Sequence, residues 1–370
     1  EVSLGVRWRA FPALVLLVAA GLTGLFLTGD TFNFYVFFEI SMIASFVLAG
    51  YRERDYQVRA AFVFAVVNLL GSVLFLIGIA ALYGISGSLD MKTVAGRVAG
   101  LPPSSVIAIA ALIFAAFFLK LGLFPFHFWL PAVYVGSHPP VAAILSGALA
   151  NIGAYGLLRF GAGVLPRELE LGAPAVMAIG AASIAYGSLQ AVSRRDTSEV
   201  MAYSAIGQAG YVLLALGVGG PVGYAAAVVY AVVNSLNKGV VFLSGGLRGP
   251  LVGAAFAVGA FSIAGVPPTA GFLGKLTVFE AGAALETLPA AVALVALVFL
   301  GSALSFLYSF QVYQRRFVAP RTGASGKPSP AAARYLVALL AAFVVMVGLW
   351  PQPLVLLCRA AAKVLAGGGG

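Results

Sequence analysis

Long apolar stretches separated by short polar or charged segments set the pattern of this sequence. They run near 11–28, 31–50, 57–84, 104–124, 139–160, 172–193, 197–218, 222–246, 250–287, 289–313 and 333–355. A bilayer core about 30 Å thick takes about 20 apolar residues per helix, so each stretch predicts a membrane-spanning helix. The stretch 250–287 is too long for one straight span, and Gly265-Val266-Pro267-Pro268 interrupts it. Two prolines remove backbone donors and clash with the preceding turn, so one broken helix is expected there. Stretch 104–124 runs into Pro125 and Pro131, which predicts a second discontinuous helix around 118–131. The expectation is an all-α polytopic membrane protein with about eleven transmembrane helices, two of them broken.

Composition agrees and narrows the function classes. Charged residues make up 9% of the 370 positions and hydrophobic residues 61%, where a soluble domain carries about 25% charge. A soluble enzyme, a disordered scaffold and a nucleic-acid binder are excluded together, despite a net charge of +10. One cysteine, Cys358, and two histidines, His127 and His138, cannot build a disulfide framework or a zinc cluster. They also fall short of the four thiolates an iron–sulfur cluster takes. No nucleotide fingerprint is present. No metal and no cofactor is expected, and the chain has no redox or hydrolytic centre of its own.

Basic residues divide unequally between alternate sides of the spans. One side holds thirteen: Arg7, Arg9, Arg52, Arg54, Arg59, Arg194, Arg195, Arg248, Arg315, Arg316, Arg321, Lys327 and Arg334. The other holds six: Lys92, Arg97, Arg159, Arg167, Arg359 and Lys363. The richer side, with the Arg52–Arg59, Arg194–Arg195 and Arg315–Lys327 loops, is expected to face the cytoplasm of a cell-membrane protein. Gly323–Pro330 reads as a plain polar loop, and the four terminal glycines as a tail.

Three of the 22 basic residues remain, Lys120, Lys238 and Lys275, and all fall inside apolar spans, as does Glu39. Each charge at the bilayer centre costs about 2.5–3.5 kcal/mol, so these residues must face protein or water, and they are functional candidates. Lys120 stands just before one helix break and Lys275 just after the other. Burial disfavours the charged form of both residue types, which lets them exchange protons near neutral pH. A static ion pair that orients helices is the plainer reading for any single one of them.

His127, in Phe-Pro-Phe-His-Phe-Trp, is a candidate relay or a structural partner for a carbonyl freed at the break. His138 reads as a helix-start residue. Ser146, Asn151, Tyr155, Ser204, Gln208, Asn234 and Asn237 fit either a water wire or polar glue between helices. Asn234 lies four residues before Lys238, on the same helix face.

Lys120 and Lys275 also sit at matching places in two halves. Five spans precede another five, and an odd number per repeat inverts the second copy, the plan of transporters with ion sites at broken helices. The expected division is 1–170 for the first repeat, 171–318 for the second, and 319–370 for a loop and final helix.

Several spaced motifs resemble a known group. They are Gly29-Asp30-Thr-Phe-Asn-Phe-Tyr-Val-Phe-Phe-Glu39, Phe118-Leu-Lys120-Leu-Gly-Leu-Phe-Pro125-Phe-His127-Phe-Trp129-Leu-Pro131, Gly153-Ala-Tyr155-Gly-Leu-Leu-Arg159, Ala202-Tyr203-Ser204-Ala-Ile206 and Gly265-Val-Pro267-Pro268-Thr-Ala-Gly271-Phe-Leu-Gly274-Lys275. In this order they resemble the antiporter-like subunits of respiratory complex I, the Mrp cation/proton antiporters and the membrane-bound hydrogenases, with the D-type subunit of the Mrp antiporters nearest.

The resemblance implies a fourteen-helix fold of which the fourth to fourteenth are present here and the first three are missing. It implies that Glu39 and Lys120 form the glutamate–lysine pair of one half-channel, and that Lys275 is the broken-helix lysine of the other. Lys238 matches the lysine of a His-x-x-x-Lys element whose histidine is Asn234 here. Asn151 stands where many members place a central lysine, and Gln208 where many have a histidine.

The expected function is proton translocation, with or without sodium exchange, by a membrane subunit of a multisubunit energy-converting complex. The expected partners are other membrane subunits, the lipid bilayer and the transported ions. The resemblance also allows the translocating NADH:quinone oxidoreductase activity of a whole complex to be credited to such a subunit. The alternatives are a stand-alone secondary solute carrier and a non-conducting structural subunit.

Overall fold

The structure, a computed structural model, describes residues 2–51, 55–318 and 330–367. Arg52, Arg54, Arg321, Lys327, all but the last residue of the 323–330 loop, and the last three glycines lie outside the described residues. The described chain is helical: α1 Val2–Leu27, α2 Thr31–Ala49, α3 Asp55–Ser86, α4 Met91–Val98, α5 Pro103–Leu121, α6 Leu130–Gly136, α7 Pro139–Ile144, α8 Asn151–Gly156, α9 Pro166–Ser193, α10 Thr197–Val218, α11 Gly220–Gly245, α12 Pro250–Ala264, α13 Ala270–Ala283, α14 Leu288–Tyr313, α15 Ala331–Leu349 and α16 Gln352–Ala366.

Among the described residues, ten segments are long and apolar enough to cross a membrane. The shorter α12 and α13 are the two halves of a helix broken where the sequence expects it, and neither alone is long enough to span. Helices α4 and α16 have no counterpart in the apolar-run reading, because each is amphipathic and mixes basic residues with its apolar face.

Both breaks follow from local chemistry. Helix α5 ends at Gly122, which takes a left-handed conformation (φ 66°) and returns its N–H to the Leu119 carbonyl. A short 3₁₀ turn, Phe126–Trp129, follows the cis Phe124–Pro125 bond, and α6 then resumes. The Trp129 indole N–H donates to the Leu119 carbonyl at 3.0 Å, and the Phe124 N–H donates to Ser183 Oγ at 3.0 Å. The backbone groups freed by the break are thus held by protein, as membrane depth requires.

Helix α12 ends at Gly265 (φ 86°), where only glycine is unstrained, and α13 starts after the Pro267–Pro268 pair. The Gly271 N–H donates to Ser262 Oγ at 2.9 Å, stitching the two half-helices together.

Between α7 and α9 the crossing is wound irregularly. Two π-helical stretches, Leu145–Leu149 and Leu157–Ala162, flank α8 and place Asn151 at the junction. Helix α10 forms the centre, buried along most of its length. It packs on α9 through Gly180 and Gly210, where an added Cβ at Gly210 would lie 2.4 Å from the Gly180 carbonyl oxygen. Close backbone approach through small residues is the usual device for helix pairs in lipid.

One end of the bundle is tied by two capped helices. Thr31 N–H donates to the Leu89 carbonyl at 2.8 Å and Met91 N–H to the Gly29 carbonyl at 2.9 Å. Asp90, at the N-cap of α4, accepts from the Thr93 N–H at 2.8 Å and from its hydroxyl at 2.7 Å. These bonds, with the backbone N–H first, hold the Asp90 carboxyl below its ordinary value of 3.8. A lowered folded value stabilises the cap above the ordinary carboxylate range, and the contribution is lost as pH falls through it. The protection of the Thr93 amide, the slowing of its exchange relative to an unstructured peptide at the same pH, is therefore expected to be high at pH 7 and to fall below about pH 4. An Asp90→Asn variant should show no such acid step.

Candidate functional site

The three intramembrane lysines are all buried, with exposures of 3% for Lys120, 5% for Lys238 and 3% for Lys275. None faces lipid, as the cost of a charge there demands. Their surroundings differ.

Lys120 lies in the last turn of α5. Its ammonium donates to Asn68 Oδ1 at 3.3 Å and to Met42 Sδ. It also sits 5.7 Å from the Phe38 ring centre and 5.4 Å from that of Phe64, within the range of cation–π attraction. Glu39, half-buried on α2, accepts a hydrogen bond from Ser72 Oγ. The hydrogen bonds of Glu39 and Lys120 both go to α3, to Ser72 and Asn68 respectively, and none joins the two directly. Asn68 and Ser72 are four residues apart, so they share one face. The Asn68 amide N–H donates to the Phe64 carbonyl at 2.9 Å, which turns its oxygen toward Lys120.

Asn68, Ser72 and Met42 are absent from the sequence-based candidates. Asn68 and Ser72 are polar residues one turn apart in an otherwise apolar run, and that spacing was the available clue.

Lys275 is held by the helix break. Its ammonium donates to the Ala264 carbonyl at 3.0 Å, one of the terminal carbonyls that a helix end leaves without a partner. The carboxyl end of α12 also carries the negative pole of its dipole, which favours a cation. An added Cβ at Gly265 would stand 2.7 Å from Lys275 Cδ, so the glycine leaves room for the lysine as well as making the turn. The ammonium lies 5.1 Å from the Tyr211 ring centre, and Tyr211 stacks on Tyr230 at 5.1 Å.

Tyr230 connects Lys275's surroundings to Gln208. The Tyr230 hydroxyl donates to Gln208 Oε1 at 2.5 Å, and the Gln208 amide N–H reaches Ser305 Oγ and the Tyr308 hydroxyl, each at 3.3 Å. Tyr308 in turn shares a hydrogen bond of 2.7 Å with Ser204. Gln208 is therefore the hub of a buried hydroxyl cluster built by α10, α11 and α14.

Lys238 is buried on α11, and the side-chain oxygens of Asn234 and Asn237 on the same helix are buried without a hydrogen-bond partner. Asn151 does not join either lysine cluster: its amide N–H donates to Ser235 Oγ at 2.5 Å and to the Gly147 carbonyl at 3.1 Å. His127 packs its ring on Phe124 and Tyr186, with centres 5.5 and 4.3 Å away. His138 takes the N-cap position of α7. Among the described residues no group of three His, Cys, Asp or Glu is placed to hold a metal ion.

Chemically, the arrangement offers buried ammonium groups whose acceptors are an amide, a thioether and a backbone carbonyl, with neutral hydroxyls and amides leading away from two of them. The ammonium groups and hydroxyls can exchange protons, whereas the amide, thioether and carbonyl partners only accept hydrogen bonds and lower the cost of burying the charge.

The family profile described as "NADH:quinone oxidoreductase/Mrp antiporter, TM" matches residues 28–248 and 244–301. The D-type subunit of the Na(+)/H(+) antiporter of Alkalihalophilus pseudofirmus is 32% identical over 326 residues, which is 82% of this chain and 66% of that protein. The N-type subunit of the NADH-quinone oxidoreductase of Desulforudis audaxviator is 33% identical over 354 residues, covering 88% of this chain and 69% of that one. The chain thus spans about two thirds of the length of these curated relatives.

A chain in the solved Mrp complex from Dietzia sp. superposes with a TM-score of 0.86 at 28% identity, covering 96% of this chain and 78% of that one. One in respiratory complex I from Thermus thermophilus with bound NADH superposes with a TM-score of 0.84 at 25% identity, covering 97% and 80%. Family profile, sequence identity and superposition agree, and the chain belongs to the NADH:quinone oxidoreductase/Mrp antiporter family of transmembrane subunits.

Proposed function

We propose that this protein moves protons across the membrane as one subunit of a larger complex, through two half-sites. The first contains Glu39, Ser72, Asn68 and Lys120. The second contains Lys275, the Gln208 hydroxyl cluster and Lys238. The observation that carries the reading is the set of three deeply buried lysines, two of which, Lys120 and Lys275, are held by neutral partners. Intramembrane charges are expensive and are kept where they serve an ion path. The names of the similar proteins, an Na(+)/H(+) antiporter subunit and an NADH-quinone oxidoreductase subunit, support a partner assembly of either kind. Whether sodium exchanges for the proton belongs to that choice.

The two half-sites fall in the residue ranges 1–170 and 171–318, the two inverted repeats of this proposal, with 319–370 as an appended segment. In this reading the cytoplasmic face carries Arg59, Arg194, Arg195, Arg315 and Arg316. Arg315 donates to the Arg194 carbonyl at 3.0 Å and Arg316 to that of Gly245, so Arg194, Arg195, Arg315 and Arg316 share one end of the bundle. That grouping supports the orientation rule.

The test is proton movement in vesicles holding the complete complex. Glu39→Ala is expected to assemble and to abolish it; unchanged pumping would sink the conduction reading. Ser72→Ala is expected to lower the rate at least about tenfold, because a hydrogen bond to a charged group contributes about 1.5–3 kcal/mol. Solute uptake by the isolated chain would favour the carrier instead. One observation favours a purely structural subunit. Asn151, at the junction between the half-sites, is an amide already satisfied by Ser235 and Gly147, so it has no proton of its own to lend.

A further inference from the structure

A cavity of about 390 Å³ opens in the outer wall of the bundle, away from both lysine clusters, between the end of α1, the α8 crossing, α11 and α16. Its lining includes Phe26, Asn151, Tyr155, Arg159, Val232 and Val364. Phe26, Val232 and Val364 are exposed, so among the described residues the cavity opens outward from the helix bundle. Nine of its twelve lining residues are apolar, and Asn151, Tyr155 and Arg159 are the polar ones. Its volume is within the range of small-ligand sites.

Arg159 alone among the lining residues is charged, and its Nε is buried without a hydrogen-bond partner. It lies in the last turns of the crossing that ends at Ala162, close to a membrane boundary. Tyr155 beside it donates from its hydroxyl to the Phe26 carbonyl at 3.1 Å, fixing the end of α1. Helix α16 closes the cavity's other side. It buries Cys358 and Ala362 against the bundle and leaves Arg359 and Lys363 exposed.

An arginine beside a mostly apolar slot is complementary to an amphiphile with an anionic head and a hydrocarbon tail. We propose that this cavity holds one acyl chain of an anionic phospholipid, with the phosphate on Arg159. Guanidinium groups bind phosphate through paired charge-assisted hydrogen bonds. The occupant fills the lipid side of Asn151, so the junction between the two halves is kept dry from the membrane side.

The experiment is native mass spectrometry of the purified protein offered equal amounts of phosphatidylglycerol and phosphatidylcholine with the same acyl chains. Wild type should retain phosphatidylglycerol about fivefold better, the contribution expected of one basic residue near a lipid head. Arg159→Gln should bring that ratio to about one while circular dichroism remains helical. Ala361→Trp, which fills the slot from α16, should reduce retention of both lipids. Equal retention by wild type, or an unchanged preference in Arg159→Gln, would mean ordinary surrounding lipid only and would overturn the proposal. Displacement of the phospholipid by an equal amount of oleate would overturn the phosphate assignment.

Discussion

Replacing Lys120 by alanine is expected to leave the protein in its complex and to stop proton movement, by at least a hundredfold relative to the parent. The ammonium is 3% exposed and held by Asn68, Met42 and two aromatic faces. No second titratable group takes part in those contacts. Removing the side chain deletes the proton carrier and leaves a cavity, which costs about 2–5 kcal/mol in a close-packed interior. Relief from burying a charge offsets part of that cost.

Lys120→Met separates the two effects. It preserves volume beside Met42, so stability should be close to the parent's, while proton movement should be as low as in Lys120→Ala. Co-purification of the partner subunits measures assembly, and a pH-sensitive dye in vesicles measures flux. Parental flux with Met at this position would place the proton path elsewhere.

The second large effect is expected at a residue with no chemistry. A Cβ at Gly271 would lie 1.6 Å from the Ser262 carbonyl oxygen, so Gly271→Ala must push α13 away from α12. Lys275, one turn further along α13, would move with it and lose the Ala264 carbonyl that holds it at 3.0 Å. Overpacking of this kind costs about 1–3 kcal/mol, or more when backbone must move. The expected outcome is a lowered unfolding temperature in detergent together with loss of proton movement. Gly274→Ala is the control. Its nearest neighbour would be Tyr230 Cδ2 at 3.3 Å, a ring edge that needs to yield only slightly, so both readouts should stay near the parent's. Equal tolerance of the two alanines would show that the tight junction at the break is dispensable.

Much of this architecture was legible in the residues. Long apolar runs announced the crossings, and Pro125 and Pro267–Pro268 announced the breaks, because a missing backbone donor acts locally. The lysines stood out for the same reason: burial cost belongs to the residue itself. Helices α4 and α16 escaped notice, since Lys92 and Arg97, or Arg359 and Lys363, interrupt the apolar count while lying on one exposed face. Partnership was the least legible feature. Nothing in the run around Asn68 and Ser72 says that α3 would turn them toward Lys120 and Glu39. That choice is made by packing against α2 and α5. The same holds for Gln208, whose three hydroxyl partners come from helices far apart in the chain. The π-helical stretches on either side of Asn151 likewise depend on neighbours and have no sequence punctuation of their own.

The relation between the half-sites also changes how Asn151 is understood. A hydrogen-bonded amide between Ser235 and Gly147 couples the α8 crossing to α11 structurally. In the proposed function, proton passage between halves would then fall to water or to Lys238, whose neighbours Asn234 and Asn237 offer unsatisfied buried oxygens. Buried polar groups without partners cost about 1–3 kcal/mol each, which water would recover.

The central claim is that protons cross by way of the buried lysines. The most direct measurement is the initial rate of proton movement into vesicles containing the complete complex, compared between the parent and Lys275→Ala at equal amounts of assembled protein. The account predicts that Lys275→Ala stops net movement although Glu39, Lys120 and assembly are untouched, because both half-sites are needed for a full crossing. A parental rate from assembled Lys275→Ala complex would contradict it.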